Sequence, residues 1–448
     1  MRDWMNKHYA IAEYALLLLS GILFYVLLGD KWVSIERDSE FYLYPGGREG
    51  VMPLYPVFLR LMKVILGEES YLDGVVIVQS VLAILCTMVF VHMLKKRFGL
   101  KLWEELLLYV ACMLPFSIYL PESGITHQIM TEGITYSFFY IYFLFLFRFI
   151  SDRKYCWGVA LVIMSLILMC IRSQLILLLL STFAAFVCVV IRKLCARGNA
   201  KKLIAVFVGA LVVAGGTFIV LFGKKLLEIS QFTSVLMIRG FYEVDYEDKE
   251  LFDTPEMQEI FERVYTAVDE ERYRYIYARQ DLYMWQDLVC DRISSVAYRE
   301  IGEYSIQHPE LDINARKINQ ELGSKVLIKH FDRYLYHTVR LMMSGFIAAV
   351  FWQIKPIYFL CHFIALFLYL YALVGSITCL RRKKNSQAAE FMLTVVGFIF
   401  ILIVTVNLMF IGLQRYVVYA MGIFYCAAYL LFKELVMNYF AKRGSWKK

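Results

Sequence analysis

Three carboxylates stand close together early in the chain, in Ile35-Glu36-Arg37-Asp38-Ser39-Glu40-Phe41-Tyr42, directly after an apolar run. A carboxylate held in a loop beside a membrane can take the proton from an attacking hydroxyl, the work of a general base. Asp38 is the first candidate and Glu40 the second. The bland alternative for both is a solvated loop charge. Three arginines could meet an anion. Arg48 lies in Gly46-Gly47-Arg48-Glu49-Gly50, Arg172 interrupts two apolar runs, and Arg415 lies in Gly412-Leu413-Gln414-Arg415-Tyr416. A charge in such a setting costs a few kcal/mol unless it is paired. Arg172 and Arg415 therefore either face water at hairpin tips or serve a site. A second polar turn, Pro121-Glu122-Ser123-Gly124-Ile125-Thr126-His127-Gln128-Ile129-Met130-Thr131-Glu132, offers His127 and Glu132. A carboxylate at the start of a helix is favoured by the helix dipole, so Glu132 has a structural explanation too. His127 reads as a loop histidine before it reads as a ligand.

Other signatures are missing from the sequence. It has no Walker-type phosphate loop, no Gly-x-Gly-x-x-Gly after a strand and no His-Glu-x-x-His. An ATP-driven transporter is disfavoured. His330 and His337 share a helix face, but no carboxylate cluster accompanies them. The cysteines fall mostly in apolar runs, with Cys290 alone in the long polar block, so no internal disulfide is expected there.

The elements that must position these residues are mostly apolar. The chain has 448 residues, 60% hydrophobic and 19% charged, against about 45–50% and about 25% in soluble domains. The expected fold class is an all-α polytopic membrane protein of about ten transmembrane helices, with a helical extracytoplasmic domain. The expected spans are Tyr9–Leu28, Gly74–Leu94, Leu106–Leu120, Ile134–Ile150, Cys156–Ile171, Gln174–Ile191, Leu203–Phe222, Ile357–Leu380, Phe391–Leu413 and Tyr416–Phe432. Val339–Trp352, short for a span, is expected to be re-entrant or interfacial. The division expected is residues 1–222 as an N-terminal transmembrane module, 223–355 as an extracytoplasmic domain and 356–448 as C-terminal transmembrane helices.

Charge supports an orientation. The net charge is +8, yet Lys224–Arg340 holds 16 basic against 22 acidic residues. The remaining basic residues cluster in short loops, which places both termini in the cytoplasm by the positive-inside bias. Such clustering between apolar runs also argues against nucleic acid as the partner. The loop Gly29–Asp73 and the block Gly223–Lys355 then face outward. Met257, Ile260, Phe261, Val264 and Val268 recur at helical spacing after the helix start Asp253-Thr254-Pro255-Glu256.

The order of these motifs resembles the GT-C superfamily of polytopic glycosyltransferases, among them the mannosyltransferase- and aminoarabinose-transferase-like membrane enzymes. The matching positions are the acids Asp38-Ser39-Glu40 after the first span, then Pro53-Leu54-Tyr55-Pro56, then Pro121 and Thr131-Glu132. Arg172-Ser173 between short spans and Arg415-Tyr416 at the last span complete the pattern. The resemblance implies a polyprenyl-phosphate sugar as donor and a glycan, lipid or protein as acceptor, with the active site outside a bacterial cytoplasmic membrane. It implies Asp38 as general base, with Glu40 as its substitute. Arg48, Arg172 and Arg415 would steady the departing phosphate. Glu132, His127 and Tyr55 are candidate contacts to acceptor, donor or metal. With several acids nearby a divalent metal, Mg or Mn, is an open option, although no ligand spacing requires it. Two alternatives share the outer arginines or the many spans: an envelope polysaccharide polymerase or ligase, and a non-enzymatic lipid or solute transporter.

Overall fold

The computed structural model describes residues 2–27, 32–36, 38–44, 52–117, 124–196, 198–227, 244–274, 292–311, 314–351, 358–382, 386–409 and 417–445. The expected site residues Arg48 and Arg415 lie outside them, as does Trp352 at the end of the expected re-entrant run. Sixteen α-helices are described: α1 Arg2–Val26, α2 Ser39–Leu43, α3 Leu54–Leu66, α4 Tyr71–Phe98, α5 Leu102–Met113, α6 Glu132–Asp152, α7 Tyr155–Ile171 and α8 Leu177–Cys195, then α9 Lys201–Leu227, α10 Pro255–Arg274, α11 Ser294–Gln307, α12 Ala315–Lys329, α13 Phe331–Val350, α14 Tyr358–Arg382, α15 Gln387–Met409 and α16 Met421–Ser445. Among the described residues no strand forms; Ser34 and Gln128 make one isolated parallel bridge.

Among the described residues six helical segments are long and apolar enough to cross a membrane: Tyr71–Phe98, Glu132–Asp152, Gln174–Cys195, Leu360–Arg382, Gln387–Asn407 and Val418–Met437. They point to a lipid bilayer as the surroundings of this chain. Ile11–Val26 and Tyr155–Ile171 are apolar but shorter. The 17 residues of α7 rise about 26 Å, just under the roughly 30 Å of a bilayer's hydrocarbon core. The expected span at Leu106–Leu120 corresponds to a 12-residue helix, α5, followed by the 3-10 turn Leu114–Ser117. The run at Val339 is the apolar half of α13, a 20-residue helix whose first turns carry Asp332 and Arg333.

The chain forms two compact units. One comprises Met1–Gly216, Phe367–Ile399 and Val418–Lys448; the other comprises Thr217–Leu366 and Phe400–Val417. In the first unit α6 packs against α4, α7 and α8, while α4 also carries α1, α3 and α5. The α4–α6 seam is dense with rings, for Phe90 meets Tyr140 at 5.3 Å and Phe98 stacks on Phe147 at 6.3 Å. Gly422 of α16 is needed where that helix crosses α5 and α6. A Cβ there would fall 2.7 Å from the Tyr140 hydroxyl and 2.9 Å from the Cys112 backbone.

Ion pairs tie the helix ends of this unit together, and they collect at one end. Lys95 near the end of α4 pairs with Glu13 of α1 and with Glu105 of α5, the latter at 2.9 Å. Arg97 and Arg148 share Asp152 at 2.7 and 3.0 Å. Arg192 ends α8 and meets Glu390 of α15 at 2.7 Å, and Lys433 of α16 meets Glu104 at 2.7 Å. The expected basic clusters at Lys95, Arg148 and Arg192 thus fall together. Glu132 sits at the other end of α6, roughly 30 Å away along its axis.

The second unit has its own core. Ile260, Phe261, Val264 and Val268 of α10 are buried with Ile293, just before α11, with Val296, Ala297 and Ile301 of α11 and with Leu322 and Val326 of α12. Thr254 caps α10 by accepting from the Met257 amide at 3.3 Å, with Pro255 in the first turn. Asp248 locks the preceding turn onto this core. It is fully buried, accepts from Lys329 Nζ at 2.6 Å and from His330 Nε2 at 2.9 Å, and closes a turn with the Asp245 amide at 2.8 Å. Burial alone would raise its carboxyl. The hydrogen bonds from Lys329, the Asp245 amide and His330 outweigh burial and hold it below the usual aspartate range.

A depressed folded-state pKa stabilises above the unfolded value and is lost as pH falls through the folded one. Wild type should therefore lose stability below about pH 4 relative to Asp248→Asn. At pH 7 the substitution should cost about 1–3 kcal/mol, because Lys329 is partly exposed. Thermal unfolding of both full-length proteins between pH 3 and 7 checks this; parallel curves would exclude a role for Asp248.

Candidate functional site

The first residue of α6 holds a buried ion pair. Glu132 is 1% exposed, and its Oε1 lies 2.5 Å from Arg172 Nη1. Thr131 is the third member: its hydroxyl donates to Glu132 Oε2 at 3.0 Å and accepts from Arg172 Nη1 at 3.3 Å. Arg172 Nε donates to Gln174 Oε1 at 2.8 Å. The start of α6 further favours the carboxylate through the helix dipole.

Local backbone explains why Arg172 turns inward. The residue is extended, with φ −146° and ψ 121°, and so ends α7. Its carbonyl accepts from the Leu175 amide as the 3-10 turn Ser173–Ile176 begins. Of the two readings open from sequence, a hairpin tip in water or a role in a site, the structure does not have the first: Arg172 is 8% exposed.

The first loop reaches the same place through α2. Ser39, which separates the two acids, is fully buried. Its hydroxyl accepts from the Glu36 amide at 2.8 Å, and its own amide donates to the Glu36 carbonyl at 2.8 Å. With Ser39 turned inward, Asp38 on one side is half-buried and Glu40 on the other is exposed. Three residues on, Tyr42 links this helix to the ion pair. Burial pushes its phenol up, and the charges of Glu132 and Asp38 push the same way. Arg172 and a hydrogen bond with Thr131 oppose them. One phenol thus feels Asp38, Glu132 and Arg172 together.

Tyr55 and Gln79 brace this arrangement. The Tyr42 and Tyr55 rings meet edge to face, 5.3 Å apart. Tyr55, fully buried, donates to Gln79 Oε1 at 3.0 Å, and Gln79 Nε2 donates to the carbonyls of Thr126 at 2.7 Å and Gln128 at 3.0 Å. Gly133 makes room for it: a Cβ there would lie 2.5 Å from the Gln79 amide carbon. His127 is buried beneath the same loop, its ring near those of Tyr25 at 5.7 Å and Trp32 at 5.1 Å. Its backbone carries the Ser34–Gln128 bridge, accepting from the Ser34 amide at 2.9 Å. Val75, Val76, Ile129, Ile134 and Ile171 fill the space around Tyr55.

Of the residues expected at a site, Glu132 and Arg172 are brought into contact, Asp38 lies near enough for its charge to reach Tyr42, and Tyr55 supports them. Glu40 points to the surface, and Arg48 and Arg415 lie outside the described residues. Thr131, Tyr42, Gln79 and Gln174 had no assigned role in the sequence reading. Gln79 carried a visible signal, a lone amide in the apolar run Val75-Val76-Ile77-Val78-Gln79-Ser80-Val81. Among the described residues, the one group of three acids, histidines or cysteines near enough to share an ion is Glu13, His92 and Glu105. Lys95 pairs with both of those acids, so the cluster is suited to an ammonium group. Asp38, Glu40 and Glu132 form no such group among the described residues.

No protein-family model, curated protein or solved structure matches the chain.

Breaking the buried pair from one side strands a charge, so Arg172→Leu alone should cost about 3–5 kcal/mol. Glu132→Leu combined with Arg172→Leu should recover most of that loss. Melting temperatures of the three proteins in one detergent measure the difference; an equally unstable double variant would mean that packing, not charge, is what Arg172 supplies.

Proposed function

We propose that this chain is an integral-membrane glycosyltransferase of the GT-C kind, moving a sugar from a polyprenyl-phosphate donor to a glycan, lipid or protein acceptor outside the cytoplasm. The observation that carries the reading is the buried pairing of the Thr131-Glu132 start of α6 with the arginine between α7 and α8, beside which the acidic first loop packs through Tyr42 on Tyr55. These are three of the segments on which the sequence resemblance rests. The basic clusters at the opposite end of the same helices support an outward-facing site.

In this reading Asp38 accepts the proton of the acceptor hydroxyl as its oxygen attacks the anomeric carbon. The bond from that carbon to the phosphate oxygen breaks on the opposite face, and the anomeric centre inverts. Polyprenyl phosphate leaves with the electron pair. Arg172 meets the growing negative charge, and Glu132 holds the guanidinium in place until the phosphate competes for it. Arg48 and Arg415 are assigned to the same phosphate by resemblance. The donor carries its own activation, so the absence of an ATP loop from the sequence fits this chemistry.

Release of free polyprenyl phosphate from a panel of labelled polyprenyl-phosphate sugars, with envelope extract as acceptor, tests the proposal. Asp38→Asn should lower turnover by about 100-fold or more while donor binding and melting temperature persist. Glu40→Gln should retain most activity. Turnover indifferent to Asp38→Asn would remove the assigned base, and a protein that binds no donor of this class would overturn the reading.

A further inference from the structure

The basic end of the first unit has a cleft that the proposed reaction does not use. It encloses about 510 Å³ and is lined by Met93, Lys96 and Arg97 of α4, Arg148 of α6 and Gln387 of α15. Three cations face it, and the adjacent Asp152 balances one of them. Asp152 accepts from Arg97 at 2.7 Å and from Arg148 at 3.0 Å, so both guanidinium groups are held by a single carboxylate. Lys96 is exposed at the rim. The buried Nε of Arg97 has no acceptor among the described residues.

The cleft is rigidly built. Phe98, Phe147 and Phe391 pack against one another, with Phe147 and Phe391 only 4.7 Å apart, and fix α4, α6 and α15 at this end. Arg97 lies 5.9 Å over the Phe147 ring and Arg148 5.2 Å over Trp157, which orients both side chains. Gln387 opens α15, a 23-residue helix capped by Ser386, whose hydroxyl accepts from the Ala389 amide at 3.1 Å. The positive end of that helix adds to the field of the three cations.

We propose that this cleft binds a phosphate group, contributed by the headgroup of an anionic phospholipid or by a soluble phosphate. Arg97 and Arg148 supply planar donor pairs suited to phosphate oxygens, and Lys96 supplies a mobile point charge. The ligand would be an accessory one that secures the α4, α6 and α15 ends. The proposal is independent of the glycosyltransferase reading, because the cleft and Glu132 lie at opposite ends of α6.

The full-length protein in neutral detergent tests it, with melting temperature and native mass spectrometry as readouts. Short-chain phosphatidylglycerol should raise the melting temperature and stay bound, whereas phosphatidylcholine of the same chain length should do neither. Lys96→Glu should weaken this binding about tenfold, and Arg148→Gln by a similar factor. Lys154→Glu, an equal charge change at an exposed residue near the end of α6, should leave it unchanged. An equal shift from millimolar inorganic phosphate, abolished by Lys96→Glu, would identify soluble phosphate as the source. Retention of phosphatidylglycerol that is equal in Lys96→Glu and wild type would overturn the cleft, as would no response to either phosphate source. Among the described residues Lys96 makes no hydrogen bond or ion pair, so its variant keeps the test decisive.

Discussion

The buried pair between Glu132 and Arg172 is the constraint around which the first unit is arranged. An ion pair out of water holds only when its geometry is good and its remaining atoms find partners. Here Thr131 bridges the two groups, and Gln174 accepts a hydrogen bond from Arg172 Nε. Satisfying those atoms fixes where α6 starts, where α7 ends and how the chain turns into α8. The first loop is then drawn in through Tyr42, and Tyr55 and Gln79 hold the second loop from the other side. A shift of any one segment would leave a charge or a carbonyl without its partner.

The two ends of α6 differ in kind, and the difference is electrostatic. At the end bearing Glu132 the charges are few and buried, and aromatic rings surround them. At the Asp152 end two arginines share one carboxylate, and the pairs are more exposed. A buried pair can tune a reacting group, since little water screens it. A partly exposed excess of positive charge attracts anions instead. One helix thus runs from a buried ion pair to a partly exposed cluster of cations.

The second unit is held by more ordinary means. Its core is a small set of aliphatic and aromatic side chains from α10, α11 and α12, with Asp248 as a polar bolt onto Lys329 and His330. Protonating Asp248 loosens this bolt, so it makes the unit sensitive to acid in a way the apolar core is not.

Some of this was legible in the sequence. Apolar runs of span length mark where helices form, because lipid leaves backbone groups no partner except each other. Pro255 after Asp253-Thr254, followed by apolar residues at spacings of three and four, marked α10 for the same local reason. The acids after the first apolar run, Thr131-Glu132 and Arg172 could be named as candidates from residue type and position. Tertiary structure alone decided their partnership. Whether Arg172 faces water or Glu132 depends on one extended residue and on helices that are 40 positions apart in the chain, and no local pattern encodes that distance. The inward turn of Ser39, which separates the half-buried Asp38 from the exposed Glu40, was equally hidden, since hydropathy does not distinguish a serine in a loop from a serine that bolts it. Likewise the cleft at Lys96, Arg97 and Arg148 reads in sequence as two unrelated basic clusters. It becomes one site only because the Phe98, Phe147 and Phe391 rings bring the ends of their helices together.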